Sequence, residues 1–315
     1  FKTQGYKAEK FEAFKSSVKN VRTRLFLDIC SVCFLEYQKA LKESCSIDFE
    51  DMINESAELI RKKQVNQEHL DFKYIIVDEY QDISRQRYNL IRELSALCSA
   101  KIVAVGDDWQ SIYAFSGSIL PLFTRFCQEV GYGQELKITR TYRNAQEVID
   151  IAGAFIQRNE NQIKKALISP KRITNPVVIR TYSEKYSRQQ DGGRYYNLGI
   201  AVNEAISVIE YNKVEGKSRV VSILLIGRYG FDAVHLCRSK EFNYDEKSGR
   251  VYSSRYGSQV KLQFLTAHSS KGLSADNVII INAKDDVYGF PSKVDDDPVL
   301  SLVVVNDNSY TYAEE

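Results

Sequence analysis

The most constraining feature of the sequence is a short apolar run that ends abruptly in acidic residues. Residues 74–84 read YIIVDEYQDIS, so the apolar side chains stop at Asp78 and Glu79. A β-branched run of this length is typical of a buried strand. Ligands of open α/β sheets bind at the carboxyl ends of strands, and two carboxylates there suit a hard cation such as Mg²⁺. One acid could hold the metal while the other polarises a water, although a solvated acidic turn is a common alternative.

A second segment has the same arrangement. Residues 101–118 read KIVAVGDDWQSIYAFSGS, a strand pattern followed by Asp107 and Asp108. The neutral amide of Gln110, next to these acids, could sense a phosphate or position a water. Three aromatic residues share the predicted loop. Aromatic side chains usually pack in a core, but three at one strand end favour stacking on bases, and they are Trp109, Tyr113 and Phe115.

Strand and helix patterns alternate along most of the chain, which predicts an α/β fold with parallel sheets. Asp48 is expected to cap the helix that follows it. A polar, Gly-containing stretch at residues 183–196 predicts a flexible loop. The periodicity predicts helices at residues 9–21, 24–42, 49–63, 84–98, 117–130, 145–159 and 198–211, strands at 72–77, 101–105, 177–182, 220–226, 260–266 and 277–282, and a hairpin within 243–257.

Charge and hydropathy exclude several classes of protein. Lys and Arg number 43 against 41 Asp and Glu, and this balance excludes a broadly basic protein that coats nucleic acid, though not one with a narrow basic channel. No apolar run approaches the ~18 residues of a membrane helix, and the amino terminus lacks the apolar core of a signal peptide. Six scattered cysteines fit a reducing compartment, so a cytoplasmic location without membrane contact is expected.

One cysteine pair has the spacing of half a zinc site. Cys30 and Cys33 form a CxxC inside a stretch with helical periodicity. A zinc ribbon needs a second pair at suitable spacing, and the sequence has none. Recruitment of His235 and Cys237 is the weaker alternative, and two small residues on a packed helix are the favoured interpretation.

Five segments, in order, resemble the motifs of the superfamily 1 DNA helicases of the UvrD, Rep and PcrA type. Trp109 and the GFP at residues 289–291 resemble the helicase IV branch in particular. A single acidic motif would be weak evidence, whereas five in the family's order are specific. The segments are VDEYQD at 77–82, GDDWQSIYAFSG at 106–117, ITRTYRN at 138–144, ILLIGRYG at 223–230 and LTAHSSKGLSADNVII at 265–280.

The resemblance implies an ATP-dependent DNA helicase built on two RecA-like parallel-sheet domains. Residues 1–70 would be a helical segment, 71–137 part of the first RecA-like domain, and 138–315 the second. ATP and Mg²⁺ would be the cofactors, and single-stranded DNA and duplex junctions the partners, with movement from 3′ to 5′. The alternative is a non-catalytic DNA-binding or regulatory protein that keeps the fold, and fusion of the helicase to a nuclease or other domain stays open.

The resemblance also assigns roles to single residues. Asp78 would coordinate Mg²⁺, Glu79 would activate the attacking water, and Gln110 would couple the γ-phosphate to the DNA side. Tyr142 would stack on the adenine and Arg143 would contact the γ-phosphate, a role that suits a permanently charged, forked guanidinium. The other matched positions would contact DNA, namely Trp109, Tyr113, Phe115, Thr266 and His268, or the nucleotide and the domain cleft, namely Lys271 and Gly272.

Departures from the family pattern are also visible. Ser116 stands where the family usually has Arg, which removes a possible contact to DNA or phosphate. Ser274 stands where the family has an acid or Gln, which removes a side chain expected to recognise the ribose. The phosphate loop GxxxxGK[ST] is absent, because the Gly-Lys-Ser at 216–218 lies in the wrong strand and helix order. No sixth motif follows residue 291, and the chain starts at Phe1 with its one Met at Met52. We therefore expect a fragment that is inactive as an ATPase by itself.

Overall fold

The computed structural model describes residues 1–66, 68, 70–185, 193–211, 220–256, 260–294 and 298–303. Contacts divide the chain into unit 1, comprising Phe1–Thr174 with Asp296–Glu315, and unit 2, Asn175–Asp295. Residues 138–174 thus group with unit 1, whereas the sequence-based boundary precedes residue 138. Since compactness does not identify a helicase domain, the predicted domain assignment stays a prediction.

Unit 1 begins with three helices, and side chains cap two of them. They are α1 (Lys10–Ser17), α2 (Val21–Glu43) and α3 (Phe49–Arg61). The Asn20 side chain accepts from the Thr23 amide at 3.3 Å, and Asp48 Oδ1 accepts from the Asp51 amide at 2.7 Å. The predicted Asp48 cap is therefore confirmed, and it satisfies an amide that the first turn of α3 would leave unpaired.

A parallel strand pair follows these helices. Strand β1 (Tyr74–Val77) pairs in register with β2 (Lys101–Ala104), and α4 (Arg85–Cys98) connects them. A β-α-β connection of this kind is the usual way to join parallel neighbours. Beneath the strand ends lies a core of buried side chains, comprising Tyr80, Ile83, Tyr88, Ile119 and Leu122.

The helix predicted over residues 117–130 is wrong. Two short helices occupy this region, α5 (Pro121–Thr124) and α6 (Phe126–Val130). Gly117 has φ 96°, which ends the preceding turn, and Pro121 stands at the first position of a new helix. Helix α7 (Gln146–Ile156) follows within the range predicted for it, and α10 (Pro298–Val303) also belongs to unit 1.

Unit 2 contains a mixed five-stranded sheet. Its strands lie in the order β4-β5-β6-β3-β7, with β3 parallel to both of its neighbours and β5 antiparallel to β6. The β4–β5 pair confirms the predicted hairpin, and its addition makes the sheet mixed instead of wholly parallel. The elements are α8 (Tyr196–Tyr211), β3 (Val221–Gly227), α9 (Phe231–Arg238), β4 (Asn243–Asp245), β5 (Arg250–Tyr252), β6 (Val260–Thr266) and β7 (Asn277–Ile280).

The strand predicted at residues 177–182 is wrong. Residues 175–185 are described and contain no strand. Val177, Val178 and Ile179 are 55%, 63% and 84% exposed, so their apolar pattern does not correspond to a buried face. Part of the predicted flexible loop (186–192), the Gly-Lys-Ser at 216–218 and residues 304–315 lie outside the described residues. Among the described helices, none combines the length and apolar character needed to cross a bilayer.

Candidate functional site

The acidic segments of unit 1 meet at one edge of the parallel strand pair. The Val105 amide donates to the Val77 carbonyl at 2.8 Å, and the Tyr80 amide donates to the Val105 carbonyl at 2.9 Å. These two bonds continue the pairing beyond the ends of β1 and β2. As a result, the turn that carries Asp78 and Glu79 lies directly beside the turn that carries Asp107.

Asp78 and Glu79 are both exposed at this edge. The Glu79 amide donates to Asp78 Oδ1 at 2.9 Å, and Glu79 has the left-handed backbone conformation, with φ 50°. Within the described residues, no three His, Cys, Asp or Glu side chains are grouped to hold a metal ion. Nucleotide-bound Mg²⁺ often takes only one or two protein carboxylates, the other ligands being water and phosphate. The pair therefore fits a magnesium ion that arrives with a nucleotide.

A chain of hydrogen bonds joins Glu79 to Gln110. Gln81, which is 0% exposed, donates from Nε2 to Glu79 Oε2 at 2.6 Å and accepts from the Asp107 amide at 2.9 Å. Gln110 Nε2 donates to Asp107 Oδ2 at 2.6 Å. A Cβ at Gly106 would lie 2.6 Å from Gln81 Oε1, so a larger residue at this position would displace the Gln81 amide. Sequence reasoning did not predict this link, because Gln81 and Asp107 lie 26 positions apart.

Lys165 neutralises the acids of the second turn. Its Nζ lies 2.5 Å from Asp107 Oδ1 and also pairs with Asp108 Oδ1, whose side chain is 0% exposed. Burial raises the pKa of Asp107, but hydrogen bonds from Lys165 and Gln110 and the Lys165 charge outweigh it, so the pKa lies below its ordinary value. Sequence reasoning missed Lys165, because it lies 57 positions beyond Asp108 and outside every motif.

The three predicted DNA-stacking aromatics differ in their surroundings. Trp109 lies against α7, where a Cβ on Gly153 would be 3.1 Å from its Cη2, and its Nε1 donates to the Ile163 carbonyl at 3.2 Å. Tyr113 and Phe115 are edge-to-face neighbours with centroids 6.1 Å apart, and Phe115 is 53% exposed. Phe115 is thus the most accessible of the three, and the DNA role of all three stays a prediction.

Ser116 turns back onto its own loop. Its hydroxyl donates to the Tyr113 carbonyl at 2.8 Å. Ser116 therefore stabilises the loop that carries Tyr113 and Phe115. It provides no positive charge there, unlike the arginine that the family usually has at this position.

The fourth-motif segment is exposed. Tyr142 is 61% exposed, and the Arg140 guanidinium lies 5.4 Å from its ring centroid. Arg143 is exposed as well, and its carbonyl accepts from Lys171 Nζ at 3.0 Å. The ring and the guanidinium are accessible to a ligand, but neither predicted nucleotide role is tested by these contacts.

The predicted residues of unit 2 cluster at the carboxyl end of β6. Thr266 Oγ1 and Ser269 Oγ are 2.8 Å apart, and His268 Nδ1 lies 3.0 Å from Arg228 Nη1. Since a guanidinium can only donate, Nδ1 of His268 is the acceptor and its ring proton sits on Nε2. Lys271 and Gly272 follow in the same turn, with Gly272 at φ 77°. Their predicted nucleotide and DNA roles stay predictions.

Two histidines make the stability of unit 2 dependent on pH. Burial lowers the pKa of His235, opposed by Asp232 and assisted by Arg194 and Arg238, and burial and the Arg228 charge lower the pKa of His268. The folded unit therefore binds these protons more weakly than the unfolded chain. The contribution of these two histidines to the stability of unit 2 is therefore fully present above the ordinary pKa of about 6.5. It decreases as the pH falls below that value.

We expect a lower urea midpoint for unfolding at about pH 5.5 than at about pH 7.5. Both pH values lie above the range in which ordinary carboxylates titrate, so the histidines dominate the difference. Hydrogen exchange at β3 and β6 assigns the change to unit 2. The double variant His235→Gln, His268→Gln should show a smaller difference between the two pH values. An equal difference in the wild-type protein and this variant would contradict the assignment to the two histidines.

Comparison with known proteins identifies the family of the chain. Residues 2–131 match the UvrD/REP helicase N-terminal domain. DNA helicase IV of Escherichia coli is 32% identical over 259 residues, which cover 81% of this chain. Two ATP-dependent DNA helicases match shorter regions. PcrA of Leuconostoc citreum is 30% identical over 45% of this chain, and UvrD1 of Mycobacterium bovis is 31% identical over 42% of it.

The matched regions cover only part of these relatives, namely 32% of DNA helicase IV, 19% of PcrA and 18% of UvrD1. The family model covers the helices α1–α3 and the strands β1 and β2, together with both acidic turns. The order of the five motifs, the paired acidic turns and these similarities agree, and the chain belongs to the UvrD/Rep/PcrA-type helicase family.

Proposed function

We propose that this chain is part of an ATP-dependent DNA helicase that couples ATP hydrolysis to 3′ to 5′ movement on single-stranded DNA. The observation that carries the proposal is the hydrogen-bonded chain from Glu79 through Gln81 and Asp107 to Gln110. It links an acid suited to activate water with the loop that carries Tyr113 and the exposed Phe115. A motor needs such a link between hydrolysis and its grip on DNA.

ATP and Mg²⁺ fit the acidic edge of unit 1. Asp78 would hold the metal, which would neutralise charge on the phosphates. Glu79 would accept a proton from the attacking water, and the hydrogen bond from Gln81 fixes the direction of its carboxylate. Tyr142 and Arg143 would bind the adenine and the γ-phosphate. Because GxxxxGK[ST] does not occur in the sequence, the chain by itself is expected to lack ATP turnover.

Single-stranded DNA would bind at the loop that carries Tyr113 and Phe115, assisted by Trp109. Stacking is indifferent to base identity, as movement along any sequence requires. In unit 2, Thr266 and His268 would contact the DNA, and Lys271 and Gly272 the nucleotide. The parallel strands of both units support a RecA-like origin for each.

The second candidate is a DNA-binding or regulatory protein without catalysis. The serine at position 116, which bonds to its own loop instead of presenting a guanidinium, favours it. The remainder of the gene separates the two candidates. A phosphate loop and an arginine-bearing sixth motif encoded there would support the motor, and their absence would support the second candidate.

DNA binding can be tested on this chain alone. Base stacking contributes about 1–3 kcal/mol per base, so Phe115→Ala should weaken binding of a fluorescent oligo-dT by about 5- to 150-fold in anisotropy titrations. Phe155→Ala is the matched control, because Phe155 is also exposed, at 72%, but lies on α7. Equal affinities of the wild-type protein and Phe115→Ala would contradict the stacking role, and absence of wild-type binding would contradict the proposed function.

A further inference from the structure

Residues 163–171, which we call the strap, contact two separate motifs of unit 1. At the first end of the strap, the Ile163 amide donates to Asp108 Oδ2 at 2.6 Å. The Ile163 carbonyl accepts from Trp109 Nε1 at 3.2 Å. Both groups of this one residue are therefore bonded to the third-motif loop.

Lys165 adds charged contacts at this end of the strap. Its ammonium pairs with Asp107 and Asp108 and lies 5.2 Å from the Trp109 ring centroid. Asp108 is 1% exposed, so its carboxylate needs nearby donors for compensation, and Lys165 is the cation among them. Breaking a buried ion pair by removing one partner is strongly destabilising, because it leaves the other charge uncompensated.

The second end of the strap is bonded to the fourth-motif segment. The Ile168 amide donates to the Thr139 carbonyl at 2.8 Å, and the Ile168 carbonyl accepts from the Thr141 amide at 2.9 Å. Two side chains add to this pairing. Ser169, which is 2% exposed, donates from Oγ to the Asn144 carbonyl at 2.7 Å, and Lys171 Nζ donates to the Arg143 carbonyl at 3.0 Å.

We propose that the strap is a positioning element and Lys165 its anchoring residue, so that the third-motif loop and the fourth-motif segment move together. Only two residues separate Lys165 from Ile168, and a chain extends by at most about 3.6 Å per residue, so little slack exists between the ends. The inference rests on the proposed function, which puts Gln110 at one end and Tyr142 and Arg143 at the other. Loss of the anchor would uncouple those groups without removing any of them.

Trp109 provides a local probe, because it is the one tryptophan of the sequence. Lys165→Met removes both ion pairs and the cation–π contact. We expect it to increase the population of accessible Trp109 by about fivefold, with higher acrylamide quenching and red-shifted emission. Lys165→Arg should restore most of the wild-type signal. Lys164→Met, a change at the exposed neighbouring lysine, is the matched control and should leave Trp109 unchanged.

A variant at the second end tests the coupling itself. Ser169→Ala removes the bond to Asn144 and should raise Trp109 quenching in the same direction, although Ser169 does not contact Trp109. It also keeps the test decisive if Lys165→Met fails to fold, as judged by circular dichroism. Unchanged quenching in Ser169→Ala, failure of Lys165→Arg to restore the signal, or an equal effect of Lys164→Met would overturn the proposal.

Oligo-dT binding separates this proposal from the proposed function. Trp109 quenching is measured without DNA, so absence of DNA binding in the wild-type protein would count against the helicase function alone. If the wild-type protein binds, Lys165→Met should bind oligo-dT more weakly and Lys165→Arg with nearly wild-type affinity. Equal affinities of the wild-type protein and Lys165→Met would overturn the positioning role.

Discussion

Replacing Leu225 with alanine should lower the free energy of unfolding of unit 2 by about 2–5 kcal/mol. Leu225 is 0% exposed in the middle of β3, the strand that pairs with both β6 and β7. It packs in a core that includes Ile206, Ile223 and Leu236. A strand held on both sides cannot move to fill the cavity, so the loss should fall in the upper part of this range.

The measurement is urea unfolding followed by circular dichroism, with hydrogen exchange at β3 to assign the change to unit 2. Leu273→Ala is the matched control, since Leu273 is 55% exposed and its replacement should change stability by less than about 0.5 kcal/mol. If Leu225→Ala and Leu273→Ala lower the free energy of unfolding equally, Leu225 is not at the centre of the core.

Gln81→Leu should destabilise unit 1 by about 1–3 kcal/mol and change the environment of Trp109. Leucine keeps the volume of the buried side chain but accepts nothing from the Asp107 amide. An unpaired buried donor costs its full desolvation free energy, whereas the exposed Glu79 carboxylate can be hydrated and adds little. The loss should also free the Glu79 carboxylate to rotate, because the bond that directs it is gone.

Gln86→Leu is a stringent control for this variant. Gln86 is 1% exposed on α4, and within the described residues its side-chain oxygen has no hydrogen-bond partner. The same substitution there should cost less, because no amide of the strand-end turns loses its acceptor. A Gln81→Leu variant as stable as Gln86→Leu, with unchanged Trp109 emission, would show that the amide link contributes nothing.

Local patterns predicted most elements of the fold. The acids after β1 and β2, the Asp48 cap and the hairpin near residue 248 depend on neighbouring residues, so their signals are contained within short windows. The strand predicted at residues 177–182 failed because an apolar pattern does not reveal whether a partner strand is available. The helix predicted at residues 117–130 failed because Gly117 and Pro121 outweighed the periodicity.

In the candidate site, too, some residues are recognisable from a short stretch of sequence and others only from their distant contacts. Asp78, Glu79 and Gln110 stand out in the sequence, because their residue types at strand ends indicate a chemistry. Gln81 and Lys165 do not stand out. The sequence alone does not distinguish a buried glutamine from an exposed one, or an ion-paired lysine from a solvated one. Their importance comes from contacts across 26 and 58 positions, to Asp107 in both cases.

The sequence by itself determined the family, the strand-end acids and the aromatic loop, because each is encoded by residues adjacent in the chain. Only the tertiary structure decided that a buried glutamine links the two acidic turns and that a strap from residue 163 to 171 joins two motifs. Such links depend on which side chains folding brings within hydrogen-bond distance, and on burial, which makes an unpaired amide or carboxylate costly.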